Sequence, residues 1–452
     1  MLPGFASLLP DNEKSIRYMT RNAVSHLPPL RLAWFIWGLG AALYLTGFFH
    51  RVAPAVITDE LMRDFNLGAA GLGNLSAFYF YTYVAMQVPT GILADRLGPR
   101  VLLGWGALIA SAGALMFALA PSFAVAAAGR ALIGASVAVA FVCMLKLAAH
   151  WLDARRFALA SGMGLCVGMV GAVSAGAPLR LGVEAFGWRP VMVAIGMATL
   201  VIAALIAWFV REDPTAYGYQ SYAPVDARPS QGEGILQGIL SVLRYRNAWL
   251  LVLIPGGVVG PLLTFAGLWG VPFLTRRYEI SANEAAIYTS ALLLAWAAGG
   301  PAFGAFADRV QRRKSVYLAG TITLFAGWLL VIQVPALPRV VLLGVLIVIG
   351  LASGAMIISF AFGKESVPPH LAGTSAGLIN MGVMVGPMTL QPVVGWILET
   401  SWDGTRIDGT PVYSLSAYQW AFSAMLIWTA AAIVLLAFTR ETYGQQQRVA
   451  TA

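Results

Sequence analysis

The sequence predicts an all-α membrane protein, with twelve transmembrane helices in two pseudo-symmetric six-helix bundles. Three observations lead there. First, 59% of the residues are hydrophobic and 11% charged, with a mean hydropathy of +0.74. Soluble globular domains carry about 25% charged residues. At 452 residues a water-soluble chain would need several domains, and no polar linkers divide this one so finely. Second, the apolar residues gather in runs of roughly 20, the length a helix needs to cross a bilayer with its backbone groups satisfied internally. Third, one basic turn occurs twice. Gly91, Asp95, Arg96, Gly98 and Arg100 form the first copy. Gly304, Asp308, Arg309, Arg312 and Arg313 form the second, 213 residues on. A turn repeated at the same place in two apolar halves marks a duplicated bundle.

The elements follow in order. The first six spans lie near 32–57, 71–93, 101–120, 122–150, 157–181 and 190–210. Span 1 carries Pro54 near its end. Span 2 is tyrosine-rich and runs into the first basic turn. Spans 3 and 4 meet at Pro121 and Ser122, a tight helical hairpin. The last six lie near 248–274, 283–306, 315–334, 338–361, 372–398 and 417–438, and span 8 runs into the second basic turn. Pro387 and Pro392 should break or kink span 11 and expose carbonyls. Between the halves, 212–247 is the longest polar stretch, with Pro214, Gly218, Pro229, Gly232 and Gly234, and reads as a cytoplasmic loop. The expected organisation is a tail 1–30, a bundle 31–211, the loop 212–247, a bundle 248–440 and a tail 441–452. Residues 1–30 are too charged and Pro-broken for a signal peptide.

Charge sets the expected orientation. With both termini cytoplasmic, 19 of the 29 Lys and Arg fall on the cytoplasmic side, seven at the outer ends and three within spans. That is the positive-inside asymmetry. It accounts for the net charge of +9 as topology. The basic residues form no stripe, so nucleic acid is not expected as a partner. Cys143 and Cys166 fall in spans and give neither a disulfide framework nor a metal spacing. His26, His50, His150 and His370 are isolated, and no nucleophile, P-loop or metalloprotease motif occurs. No enzyme activity, cofactor or metal is expected.

The turn G-x-x-x-D-R-x-G-x-R after span 2, with its weaker copy after span 8, resembles the major facilitator superfamily, and the resemblance covers nearly the whole chain. The second copy departs by placing Gln311 where Gly98 stands. Arg130 and Gly134 in span 4 match R-x-x-x-G, and Gly382, Gly386 and Pro387 give part of a third signature. Span 5 has glycines from Gly162 to Gly176 but lacks the Gly-Pro pair that marks drug antiporters in that family. The resemblance implies a secondary transporter, working as a monomer by alternating access. On physical grounds, Asp95 at the cytoplasmic end of span 2 can meet Arg96, Arg100 or a helix N-terminus, and such a cluster, with Asp308 and Arg309 in the second turn, can clamp the halves in one state and release them in the other. The competing role for these arginines is topology alone.

An ionisable residue inside a span costs roughly 2.5–3.5 kcal/mol on insertion scales and usually marks a pathway. Three cations lie in spans, Arg51, Arg130 and Lys146, and no Asp or Glu lies mid-span. At 1.5 Å per residue, Arg51 sits about 9 Å and Arg130 about 12 Å below the outer surface, one layer of a central cavity. Lys146 stands at the inner end of span 4, where it can snorkel to headgroups. Tyr44, Phe48 and Arg51 share a helix face. This resembles the Tyr…Arg element of the organophosphate antiporters and anion:cation symporters, whose arginine contacts the anionic group. The alternative is an arginine held by carbonyls. His50 stands where many anion:cation symporters have an acid, and is the coupling candidate, a histidine titrating near neutrality. Tyr79, Tyr83 and Gln87 in span 2, and Phe265, Trp269, Asn380 and Gln391 in the second half, are further cavity candidates against a background of ordinary packing.

The expected function is therefore movement of a small anionic or zwitterionic organic solute, with proton coupling left open. The alternatives are efflux of hydrophobic compounds, for which an essential acid is missing, and a non-transporting sensor, for which residues 1–30 are the only docking tail. The sequon Asn74-Leu-Ser76 falls inside span 2. A bacterial inner membrane is the expected location.

Overall fold

The computed structural model describes residues 26–222, 235–335, 337–407 and 409–446. Most of both expected tails' outer parts, and 223–234 of the central loop, lie outside the described residues. So do the side chains of Asp95, Ile235 and Leu236.

Among the described residues the architecture is helical, with one two-residue antiparallel ribbon, Arg406–Ile407 against Thr410–Pro411, before the last span. Eleven segments among the described residues are long and apolar enough to cross a membrane. The expected second span forms the first part of the helix Ala69–Ala118, where tyrosines and polar residues dilute the apolar run. That helix is interrupted at Gly98, at φ 77° and ψ 160°. Such a backbone suits a residue without Cβ. In the second copy of the turn, Gln311 also has positive φ, at 55°, and ends the helix Ala282–Val310. The two positions share a positive φ but not a conformation: Gln311, at ψ 34°, takes the left-handed region open to an L residue, where Gly98 does not. Gln311 supports its own turn by donating from Nε2 to the Asp308 carbonyl at 2.5 Å.

Several spans are broken helices. Span 1 is Leu30–Val52 followed by a 3-10 turn, Ala53–Val56, built around Pro54. Span 4 divides into Phe123–Val137 and Ala140–Trp151. Span 5 divides into Ala154–Ser174 and Ala177–Phe186, with Pro178 in the first turn of the second piece. Span 7 runs Arg246–Thr264, a π-helical turn Phe265–Trp269, then Gly270–Tyr278. Span 10 has a 3-10 turn Gly354–Ile357 between Arg339–Ser353 and Ile358–Glu365. Spans 6, 9 and 12 are unbroken at Trp188–Phe209, Arg313–Gln333 and Leu415–Phe438.

Two expectations need correction. Span 11 is one helix, Ala372–Thr400, with Pro387 and Pro392 inside it. Proline is tolerated where neighbouring helices hold the backbone. Here span 7 lies directly against it: a methyl at Gly382 would collide with the Val252 carbonyl, and Gly386 faces Gly256 and Gly260. The central loop is also not wholly loop. It contains a 3-10 turn Pro214–Tyr217 and a helix Ile235–Leu243. That helix forms because its sequence is apolar enough to pack: Val242 is buried with Ala248, Val367, Leu371 and Leu378.

The halves meet tightly on the face away from the basic turns. Gly68 has no side chain to cap the helix that starts at Ala69. The second half supplies the cap. Ala69 N–H donates to the Tyr413 hydroxyl at 2.8 Å, and Ala70 N–H donates to the Glu399 carboxylate at 2.8 Å. The 3-10 turn of span 1 packs on the π-helical turn of span 7. Gly73 lies against the Gln391 carbonyl and Gly395 against the Ala69 carbonyl.

Candidate substrate cavity

Toward the other face the halves part around a cavity of about 2320 Å³. Arg96 and Asp308, one from each basic turn, and His370 line its mouth. Tyr44, Phe48, Arg51 and Tyr83 line its depth. Among the described residues the halves are packed together beyond Arg51, and the cavity opens on the face of the basic turns.

Arg51 is 2% exposed yet belongs to the cavity wall. Its guanidinium carbon stands 4.3 Å from the Phe48 ring centre, 5.2 Å from Tyr83 and 5.8 Å from Tyr79. Faces of aromatic rings attract a cation by roughly 0.5–2 kcal/mol each. They do not neutralise it. Among the described residues no carboxylate pairs with Arg51, the groups that act on its charge are tyrosines, and its Nε has no hydrogen-bond partner.

Arg130 is as deeply buried but differs in its position and partners. It is 1% exposed and stands outside the cavity wall. It donates to the His50 carbonyl at 2.5 Å and the Ser76 carbonyl at 3.1 Å, tying spans 1, 2 and 4 together. Tyr79 lies between the two arginines, 5.2 Å from Arg130, and is not in the wall either. Its hydroxyl donates to the Gly47 carbonyl at 3.0 Å, and its ring stacks on Tyr83. The companion glycine of Arg130 makes that packing possible, since a methyl at Gly134 would collide with the Tyr79 carbonyl. His50 is fully buried outside the wall, its ring edge-on to Phe49 and both ring nitrogens without a partner.

Gln87 and Asn380 line the cavity from opposite halves and meet, Asn380 Nδ2 donating to Gln87 Oε1 at 2.9 Å. Gln87 Nε2 is buried without a partner. Trp269, Phe265 and Gln391 are not in the wall. Trp269 Nε1 donates to the Gln391 carbonyl at 3.1 Å, Gln391 Nε2 to the Leu263 carbonyl at 3.2 Å, and Phe265 packs on Trp328 and Phe422. Trp269 and Gln391 join spans 7 and 11, and Phe265 joins span 7 to spans 9 and 12.

At the mouth, the charges of the second turn are held within their own half. Asp308 accepts from Arg313 at 2.5 Å, and Arg313 also donates to Glu365 at 2.8 Å. Glu365 accepts from Thr442, and Glu441 accepts from the Arg313 amide at 2.6 Å. Arg309 is exposed. In the first half Arg100 donates to the Ala207 carbonyl at 3.1 Å.

The wall also contains Lys146, the third of the cations within spans, and two aromatics not among the sequence candidates, Trp296 of span 8 and Phe360 of span 10. Trp296 had a usable signal. The 213-residue offset between the turns carries Tyr83 onto position 296, so the repeat pairs one cavity aromatic with another.

The family profile of the Major Facilitator Superfamily matches residues 36–388 and 265–451. The "Probable sulfoacetate transporter SauU" of Cupriavidus necator is 23% identical over 380 residues, 80% of this chain and 87% of that protein. The "Probable galactarate/D-glucarate transporter GudP" of Bacillus subtilis is 22% identical over 395 residues, 81% and 86% of the two chains. Among solved structures, a bacterial homologue of the human lysosomal transporter Spinster, in an inward-facing and unoccupied conformation, superposes with a TM-score of 0.73 at 17% identity, covering 90% of this chain and 97% of its own. A point mutant of the nucleoside transporter NupG gives 0.70 at 14% identity, covering 89% and 100%. With the helical halves and the cavity between them, these matches place the chain in the major facilitator superfamily, as an integral membrane transport protein and not an enzyme.

Proposed function

We propose that this transporter carries a small organic anion, held at Arg51 between the two halves. One observation carries the reading: a nearly buried cation in the cavity wall with aromatic faces around it and no carboxylate partner. A charge left so in a low-dielectric site is costly, and an anionic ligand relieves the cost. The relatives named for sulfoacetate, galactarate and D-glucarate support the same class of solute. Gln87 and Asn380 would contact the remainder of the solute from both halves, with Tyr44 and Tyr83 beside the anionic group. Residues 31–211 and 248–440 would rock about this site to expose it alternately. The basic residues cluster on the face of the two turns, so that face is read as cytoplasmic and the structure as open to the cytoplasm.

The test is a thermal-shift titration of the purified protein with sulfoacetate, D-glucarate and an uncharged sugar, run beside Arg51→Ala. A site-specific ligand at 100 times its Kd stabilises by about 2.7 kcal/mol. Stabilisation of the wild type by an anion, and not of Arg51→Ala, is expected. Stabilisation of both proteins equally, or by the uncharged sugar alone, would remove Arg51 from the site.

A further inference from the structure

We infer that the solute is a monoanion with an apolar, aromatic-sized body, of the aryl or arylalkyl monocarboxylate class, its charged end at Arg51 and its body against the second half. The inference rests on the anion reading above and adds the chemistry of the rest of the molecule.

The two halves offer the cavity different surfaces. The first half supplies most of the polar groups of its depth: Arg51, the Tyr44 and Tyr83 hydroxyls and the Gln87 amide. The second half answers with spans 8, 10 and 11. Above the mouth, the described wall residues of these spans are apolar or aromatic with one exception. Trp296, Met356, Ile357, Phe360 and Met384 present rings, thioethers and hydrocarbon, and Asn380 presents an amide. That amide already donates to Gln87 Oε1 at 2.9 Å. Thr374, His370 and Asp308 stand nearer the mouth.

The repeat sharpens the asymmetry. The offset of 213 residues that relates the basic turns carries Tyr83 onto Trp296 and Gln87 onto Gly300. At these places a hydrogen-bonding group of span 2 is matched in span 8 by an indole and by no side chain. Nothing lies within 4 Å of the place a Gly300 side chain would take, so the cavity keeps room there. The Tyr83 ring centre stands 5.2 Å from the Arg51 guanidinium carbon. Equivalence under the repeat sets Trp296 at a similar depth in the facing half.

Charge and hydrogen bonding then select the solute. Among the described residues Arg51 is the one basic group of the wall at this level. Arg96 belongs to the mouth, and Lys146 to the inner end of span 4, below the meeting of Tyr44 and Phe141 at 5.3 Å. One guanidinium balances one negative charge, and a second charge held between the halves is costly there. A polyhydroxylated body is costly for a related reason. When the mouth closes and water leaves, each hydroxyl turned to Trp296, Met356 or Phe360 loses a hydrogen bond without replacement. An apolar body has no such bond to lose, and each CH2-sized group it buries adds about fourfold in affinity. A ring gains further from the edges and faces of Trp296 and Phe360.

The experiment is a thermal-shift titration of the full-length protein with phenylacetate, gluconate, D-glucarate and uncharged phenylacetamide. It is run on wild type, Trp296→Ala, Phe360→Ala and Arg51→Gln, each first verified as folded. Phenylacetate and gluconate carry the same single charge and differ in their bodies. Phenylacetate is expected to bind at least about tenfold more tightly than gluconate or D-glucarate, the gain from burying about two CH2-sized groups. The preference should shrink several-fold in Trp296→Ala and in Phe360→Ala, and Arg51→Gln should bind no anion. Gluconate or D-glucarate binding as tightly as phenylacetate, and lost in Arg51→Gln, would overturn the apolar body and leave the anion site standing. A preference for phenylacetate undiminished in both aromatic variants would put the ring elsewhere and overturn it too. Phenylacetamide binding as tightly as phenylacetate, or anion binding untouched in Arg51→Gln, would overturn the anion reading and, with it, this inference.

Discussion

The two faces of this transporter are held by different kinds of contact. On the face away from the basic turns the halves meet backbone to backbone. Gly73 and Gly395 lie against carbonyls of the other half, and Tyr413 and Glu399 cap a helix they do not belong to. On the face of the turns the halves are apart, and the charged residues bind within their own half, as Asp308, Arg313 and Glu365 do. Close glycine packing and buried caps are short-ranged and either made or lost. Long charged side chains reach further and can change partners. The contrast teaches that the stability of this state is concentrated in the closed face, while the open face has charges available for new pairings when the mouth closes.

The largest effect should come from filling the closed face. Gly73→Val would drive a side chain into the Gln391 carbonyl across the halves. Overpacking of this kind costs typically 1–3 kcal/mol, or roughly ten- to hundredfold in a two-state balance. Spin labels at Leu97→Cys and Val310→Cys, with Cys143 and Cys166 changed to Ser, would report the width of the mouth. The expected outcome is a shift to shorter distances with little change in thermal stability. Gly134→Val sharpens the comparison, because its collision is with Tyr79 in the same half. It should lower the melting temperature and leave the label distances alone. If the two variants behave alike, the distinction between inter-half and intra-half packing fails.

Removing the caps should act in the same direction and more weakly. Losing a helix cap costs about 0.5–2 kcal/mol. Glu399→Ala and Tyr413→Phe should each narrow the mouth distribution partially, and together more than either alone. An unchanged distribution in the double variant would show that these hydrogen bonds do not hold the face.

The two arginines should separate by readout. Arg130→Lys removes a fork that serves two carbonyls, so a stability loss of about 1–3 kcal/mol is expected, with anion binding retained in the folded fraction. Arg51→Gln should do the reverse. Loss of anion binding in a folded Arg130→Lys protein would bring Arg130 into the site.

The smallest effect concerns the start of the central linker. Partial burial works against ionisation of Asp213, yet the Thr215 amide, the Thr215 and Ser221 hydroxyls and His150 hold its carboxyl below the usual range. A carboxyl lowered in the folded state contributes stability above its ordinary pKa, near 4. That contribution is lost as pH falls through the lowered value. Asp213→Asn should therefore cost less than about 1 kcal/mol at neutral pH, since the group is partly exposed, and nothing at the acid end. A pH-independent difference would mean that packing, not charge, is at work.

Much of the fold was legible because span length and the repeated turn are local signals. The cavity was legible in part. Arg51, Tyr44, Tyr83, Gln87 and Asn380 all line it, and each lies on a helix face that spacing could suggest. Arg130, Tyr79 and Trp269 have the same residue types at similar depths but lie outside the wall. Only the carbonyls offered by neighbouring spans distinguish them, and no single-span pattern contains that information. The unbroken span 11 is hidden for the same reason, since the support comes from span 7. The helix Ile235–Leu243 was readable from its apolar residues but masked by the glycines and charges before it.

The most direct test is binding of labelled phenylacetate and gluconate by wild type, Arg51→Lys and Arg51→Gln, each first verified as folded. The expected result is binding by wild type, a reduced affinity in Arg51→Lys, where the charge stays but the fork is lost, and none in Arg51→Gln. Binding of either anion by folded Arg51→Gln at the wild-type affinity would contradict the central claim that Arg51 holds the solute.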